Sequence, residues 1–400
     1  MPTAIVTGAT GILGREIVSA LGDDKQWTKI HALSRSQKEK YPPTVQHDHV
    51  DLTAAPHEIA KQLKSQNVTG EYLFFAAYIA KDTEEEASTV NGALLQNFLE
   101  ALSNNNVTLK RVVLVTGAKQ YGVHLGPVKN PMHETDPWID GPGRPPNFYY
   151  TQQRILYSAA KKQNFEWIVT YPNDVIGVAR GNFMNMSTAL AIYAGVNREL
   201  GKGELEFPGS ETFYSRFDSF TSSRLHAQFS LWAIMEPRAG NQAFNVVNGD
   251  VESWSNLWPK VARKFGLKVP SRQFERDTPE GSEMDLEKVP PFEDLAAERG
   301  MEGKATQGKV QQRIDLVRWS QKKEVKEAWL RVAEREGLEK DALEKATWAF
   351  LGFVLGRNYD IVISMSKARK LGWTGYVDSW DALEESFDEL AREKIAPKGV

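Results

Sequence analysis

No cysteine occurs among the 400 residues, which excludes disulfides, thiolate metal sites and a cysteine nucleophile together. Net charge is equally scarce: 49 Lys and Arg against 52 Asp and Glu leave a formal −3. No overall field draws such a chain onto nucleic acid or an anionic membrane, so neither is expected as a partner. Long apolar runs are missing too. Those at 189–196 and 348–355 fall far short of the ~20 residues that span a bilayer. The opening Met1-Pro2-Thr3 leads into strand pattern without a basic, apolar leader, so no signal peptide is expected and the cytoplasm is the expected location. His47, Asp48 and His49 lack a further ligand at suitable spacing, and no metal is expected.

What is present is a repeating alternation. Short β-type runs at 4–8, 29–33, 72–76, 111–116 and 166–171 are separated by segments long enough for a crossover helix. This predicts an α/β fold, a Rossmann-type doubly wound parallel sheet, with a smaller and mostly helical C-terminal substrate lobe. The expected division is 1–180 for cofactor binding, with a contribution from about 215–260, and 181–400 for the lobe. Residues 122–146 carry six prolines and four glycines, which excludes one helix or a central strand and predicts a loop beside the site. Residues 273–310 are charged and poor in large apolar side chains, so an exposed excursion or linker is expected. Beyond it, Val325, Trp329 and Val332 recur at helical spacing.

The segment Thr7-Gly8-Ala9-Thr10-Gly11-Ile12-Leu13-Gly14 sets glycines three residues apart where the first strand gives way to a helix. Glycines there permit a tight turn and close approach of a pyrophosphate to the helix start. Thr7, Gly8, Thr10, Gly11, Ile12, Leu13 and Gly14 are therefore expected to bind a dinucleotide. The second strand ends in Leu33-Ser34-Arg35-Ser36, with no acid to meet a ribose 2′-hydroxyl. Arg35, with Ser34 or Ser36, suits a 2′-phosphate instead, which favours NADPH over NADH. Asp51, Leu52, Ala76, Ala77, Thr116, Pro172, Asn173 and Val175 are placed along the cofactor by their positions at or beyond strand ends.

The Tyr-x-x-x-Lys pair of short-chain reductases has one literal match, Tyr157 to Lys161. It lies too near the end of its helix, because ligands bind at the carboxyl ends of the strands, where that helix begins. At its start stand Asn147-Phe148-Tyr149-Tyr150, so Tyr149 or Tyr150 is the tyrosine at the site. The residues four further on are Gln153 and Arg154, not lysine; Lys119, just after the fifth strand, offers a replacement ammonium.

These features resemble the progesterone 5β-reductase/iridoid synthase family of extended short-chain reductases. The resemblance rests on Lys119 in Thr116-Gly117-Ala118-Lys119-Gln120-Tyr121 and on the 147–150 string, and continues through Tyr171-Pro172-Asn173, 243–251, Trp254, Trp258 and 364–367. It implies NADPH-dependent reduction of an activated C=C bond, with Tyr149 and Lys119 as catalytic residues and Tyr78, Phe148 and Phe350 around a small apolar enone or enal. Departures fall at Gln153-Arg154, at Asn173 and in a longer proline-rich loop. In such a reduction the phenol meets the negative charge developing on the carbonyl oxygen. Lys119 is expected to hold the cofactor ribose and lower the tyrosine's pKa. Carbonyl reduction, sugar-nucleotide chemistry and a non-catalytic NADPH sensor are the alternatives, and a homodimer is left open.

Overall fold

In the computed structural model, which describes residues 2–36, 41–180, 184–275 and 280–400, seven strands form the central sheet. They are β1 (Thr3–Thr7), β2 (Lys29–Ser34), β3 (Val45–His49), β4 (Tyr72–Phe75), β5 (Arg111–Val115), β6 (Glu166–Pro172) and β7 (Gln242–Val246). Every pairing is parallel and the order is β3-β2-β1-β4-β5-β6-β7. The chain reverses its direction of travel between β1 and β4, which opens a crevice at the carboxyl ends of those strands. The inner strands are covered on both faces, so they are continuous apolar runs; Ile5, Val6, Leu73, Phe74, Phe75, Val112, Val113 and Leu114 are fully buried.

Helix α1 (Gly14–Asp23) follows β1 and packs against the Ser223–Met235 helix, while α2 (Pro56–Ser65), α3 (Glu84–Asn104) and α4 (Phe148–Gln163) pack side by side. Right-handed crossovers leaving β1 and β4 in opposite directions place these two groups on opposite faces of the sheet.

A second core gathers around α5 (Met186–Glu199), whose residues 186–197 are all buried. An apolar helix with no polar face has to lie inside its own shell. The shell includes Trp254, Trp258, Trp319, Trp329 and Trp348, largely from helices in the C-terminal third. Val325, Trp329 and Val332 are the buried stripe of the Lys323–Glu336 helix. No helix among the described residues is long and apolar enough to cross a membrane.

Residues 122–146 are irregular, as expected of their prolines. Most described residues of 273–310 are exposed, as expected of an excursion, but the segment is not a free linker. Apart from 276–279, which lie outside the described residues, this segment folds back through an antiparallel pair, Ser282–Asp285 with Lys309–Gln312. It then covers the proline-rich loop: a Cβ on Gly122 would stand 2.7 Å from the Pro291 ring, and Phe292 N–H donates to Pro127 O at 3.0 Å. Prolines meeting glycines bury little area per residue, so composition hides the contact.

Candidate active site

The turn from β1 to α1 leaves no room for side chains. Gly8 has φ +66°, and a Cβ there would lie 2.5 Å from Ala76 O; one on Gly14 would lie 2.2 Å from Gly8 O. Helix α1 begins without a side-chain cap; Arg15 N–H donates to Gly11 O at 2.9 Å, and the helix start otherwise suits an anion such as a pyrophosphate. Gly8→Ala is accordingly expected to lose about 2 kcal/mol of stability in urea unfolding and at least about tenfold in NAD(P)+ affinity by calorimetric titration.

A cleft of about 380 Å³ opens above this turn. Of the residues expected there, Gly8, Thr10, Gly11, Ser34, Arg35, Asp51, Leu52, Ala76 and Ala77 line it, and so does Tyr78, expected beside the substrate. Arg180 and Met184, from the chain beyond β6, line it too and went unread in the sequence. Asp51 is turned onto Thr53, accepting from its hydroxyl at 2.7 Å and its N–H at 3.0 Å, and these bonds hold its pKa below the usual carboxylate value.

Other expected cofactor residues are placed differently. Thr7 is buried, Gly14 lies under Gly8, and Ile12 and Leu13 pack with Ala179. Ser36 is exposed and offers its carbonyl to Ser34. Thr116 donates its hydroxyl to Thr170 O at 2.8 Å, and Val175 pairs with Thr221. Asn173, which follows Pro172 at the end of β6, spends its side-chain donor on Asp218 at 3.0 Å and Ser219 O at 2.8 Å. The buried Thr7 hydroxyl has no hydrogen-bond partner among the described residues; Thr116, Asn173 and Val175 do not line the cleft because they bond neighbouring backbone or core groups. Asn91 does likewise, bonding Ile79 through both its N–H and its C=O at 2.9 Å.

The two tyrosines at the start of α4 separate cleanly. The Tyr150 hydroxyl donates to Gln120 O at 2.6 Å and accepts from Ile139 N–H at 2.9 Å, with its ring stacked on Trp138. It anchors the loop. The Tyr149 hydroxyl makes no hydrogen bond among the described residues; it lies 3.0 Å from where a Gly117 Cβ would be, and that point is 3.4 Å from Pro172 O. The phenol thus sits over the ends of β5 and β6. Gly117 is what makes room for it.

Lys119 differs from expectation in its partner. Its ammonium pairs with both carboxylate oxygens of Glu84, at the start of α3, and lies 5.2 Å from the Phe148 ring centroid. Burial lowers its pKa, against the opposing effect of Glu84. The Tyr149 pKa is raised by burial, with contributions from Tyr78 and Glu84, so the expected depression by Lys119 does not occur. Burial dominates, and no contribution from Lys119 offsets it. The phenol is neutral and remains a donor. Burial similarly pushes Tyr78 up to about 12.

Asn147 joins the two halves. Its carbonyl oxygen caps α4 by accepting from Tyr149 N–H at 3.0 Å, while its amide donates to Lys119 O at 2.9 Å. Gln153 is a buried hub: it donates to Gln120 at 2.8 Å and accepts from the hydroxyls of Tyr157 at 3.0 Å and Tyr171 at 2.9 Å. Tyr157 is therefore engaged below the site, and Lys161 is exposed in the last turn of α4.

Phe148 stacks on Tyr78 at 5.2 Å and tilts against Tyr149 at 4.2 Å. Phe350 packs partly buried against the second core, and these ring contacts do not extend to it. His124, five residues after Lys119, has both ring nitrogens buried without a partner among the described residues; burial and the Lys119 charge keep it neutral. Among the described residues no group of three or more His, Cys, Asp or Glu is arranged for a metal ion. His47 and Asp48 point to opposite sides of β3, toward Ser34 and His31.

Residues 47–314 match the family model described as a PRISE-like Rossmann-fold domain. An uncharacterised protein of Schizosaccharomyces pombe is 42% identical over 399 residues, covering 99% of this chain and 98% of its own. The 3-oxo-Delta(4,5)-steroid 5-beta-reductase of Arabidopsis thaliana is 27% identical over 411 residues, covering 99% and 92% respectively. Among solved structures, UDP-glucuronic acid 4-epimerase from Bacillus cereus aligns with a TM-score of 0.59 at 13% identity, covering 98% of this chain and 99% of that one, which shows the fold alone. The chain belongs to the PRISE-like Rossmann-fold family and is an NAD(P)-dependent oxidoreductase of the short-chain dehydrogenase/reductase type.

Proposed function

We propose that the protein reduces the activated C=C bond of a small apolar enone or enal by 1,4-addition, with NADPH as reductant. The observation that carries this reading is the neutral, unpartnered Tyr149 phenol over Gly117, at the ends of two central strands and beside the dinucleotide cleft. The cleft residues would hold NADPH, and its chemistry there would be hydride supply to the substrate's β-carbon. Tyr149 donates a hydrogen bond to the carbonyl oxygen as negative charge develops on it. A raised phenol pKa suits this role, since the group has to keep its proton.

Lys119 adds positive potential that Glu84 moderates, and water protonates the α-carbon of the enolate. Tyr78 and Phe148 supply an apolar wall. Carbonyl reduction is disfavoured because the position four residues after Tyr149 holds Gln153, already committed to Gln120, Tyr157 and Tyr171. The Arabidopsis relative's name describes a 3-oxo steroid with a 4,5 double bond, which agrees with this chemistry for that protein.

A panel of enones and enals with NADPH, followed by product analysis, tests the reading: saturated carbonyl products support it, and allylic alcohols overturn it. The ion pair makes a second test. Glu84 raises the Lys119 pKa against burial, so Glu84→Gln removes that support. The alkaline limb of the kcat/KM profile is expected to move to lower pH in this variant.

A further inference from the structure

We propose that His47 is a positioning residue for the 2′-phosphate of NADPH, acting through Ser34. The inference rests on the NADPH reading above and concerns how that preference is enforced.

Ser34, the last residue of β2, and Arg35 line the cofactor cleft. The Ser34 hydroxyl oxygen is 2.8 Å from Ser36 O and 2.8 Å from His47 Nε2. A hydroxyl has one proton. Ser36 O can only accept, so the proton goes there, and His47 has to donate Nε2–H to the Ser34 oxygen. Burial lowers the His47 pKa, in keeping with a neutral imidazole in that tautomer. The Tyr41 ring lies parallel to it at 6.4 Å.

The consequence appears when an anion reaches the end of β2. Ser34 can turn its proton from Ser36 O toward a phosphate oxygen while still accepting from His47. The chain N–H to O–H to phosphate is polarised in one direction, which strengthens the last bond. Without His47 the serine would lose the donor that holds its oxygen in place. Arg35 supplies the charge and His47 supplies the orientation. A cofactor without the 2′-phosphate gains nothing from either.

Calorimetric titration of the purified protein with NADP+ and with NAD+ tests this. His47→Leu is expected to weaken NADP+ binding by about tenfold and NAD+ binding by less than about twofold. His47→Gln, whose amide can donate to the same oxygen, is expected to recover most of the loss. In a Ser34→Ala background, His47→Leu is expected to have no further effect. Equal losses for both dinucleotides, or an unrecovered loss in His47→Gln, would assign His47 a purely structural role and overturn the proposal. If the unmodified protein prefers NADP+ and His47→Leu keeps that preference in full, the NADPH reading stands and this proposal falls. Equal wild-type affinities would remove both.

Discussion

Tyr149→Phe is expected to lower the single-turnover rate of an accepted enone by about 100- to 1,000-fold, the usual effect of deleting one donor to a developing oxyanion. NADPH affinity is expected to stay within about twofold, because the lost hydroxyl does not line the dinucleotide cleft. Stopped-flow absorbance of NADPH oxidation gives the rate, and calorimetry gives the affinity. The informative control is the next residue. Tyr150→Phe leaves Ile139 N–H and Gln120 O without their phenol partner, so a loss of about 1–3 kcal/mol in stability is expected. Its turnover per folded molecule is expected to be nearly unchanged. Full activity in Tyr149→Phe would remove the phenol from the chemistry.

The second large effect concerns three charges buried beside the site. Arg357 donates to Asp174 at 2.7 Å and 3.0 Å and to Asp218 at 3.3 Å, and the side chains are 2%, 6% and 1% exposed. Removing one partner of a buried pair leaves an uncompensated charge, and Arg357→Met is expected to cost about 3–5 kcal/mol in urea unfolding. Two carboxylates facing one guanidinium leave an excess negative charge. Burial and the adjacent Asp174 push the Asp218 pKa well above the usual carboxylate range. A carboxyl with a raised folded pKa holds its proton more tightly in the native state. Its contribution is therefore fully present below the unfolded pKa of about 3.9 and is lost as pH rises through the folded value. Asp218→Asn, fixed in the neutral form, is expected to flatten this decline while costing under about 1.5 kcal/mol at low pH. A pH series of unfolding curves for both proteins checks it.

The sheet was legible because its strands are unbroken apolar runs and its first turn is written in glycines that only a close backbone approach requires. That tyrosines open α4 was legible from helix geometry alone, but which of the two neighbours has its hydroxyl taken by the loop was not. That choice depends on where Gln120 O and Ile139 N–H lie, and these are set by a loop of irregular structure. The Glu84 partner of Lys119 was hidden for a related reason. The two residues belong to elements that meet only after β4 and β5 pair, and acids at a helix start are ordinarily explained by the helix itself. Gln153 looked like a departure from a family pattern. Its burial makes it a neutral hub whose partners are two tyrosine hydroxyls and an amide.

The Asn147 clamp bears on how such an enzyme changes over generations. One side chain grips the residue that opens the long proline-rich excursion and the helix that closes it. Insertions and deletions between those two points would leave Lys119 and Tyr149 in register. Under the proposed function, the excursion would then be free to change while the placement of Lys119 and Tyr149 is inherited intact.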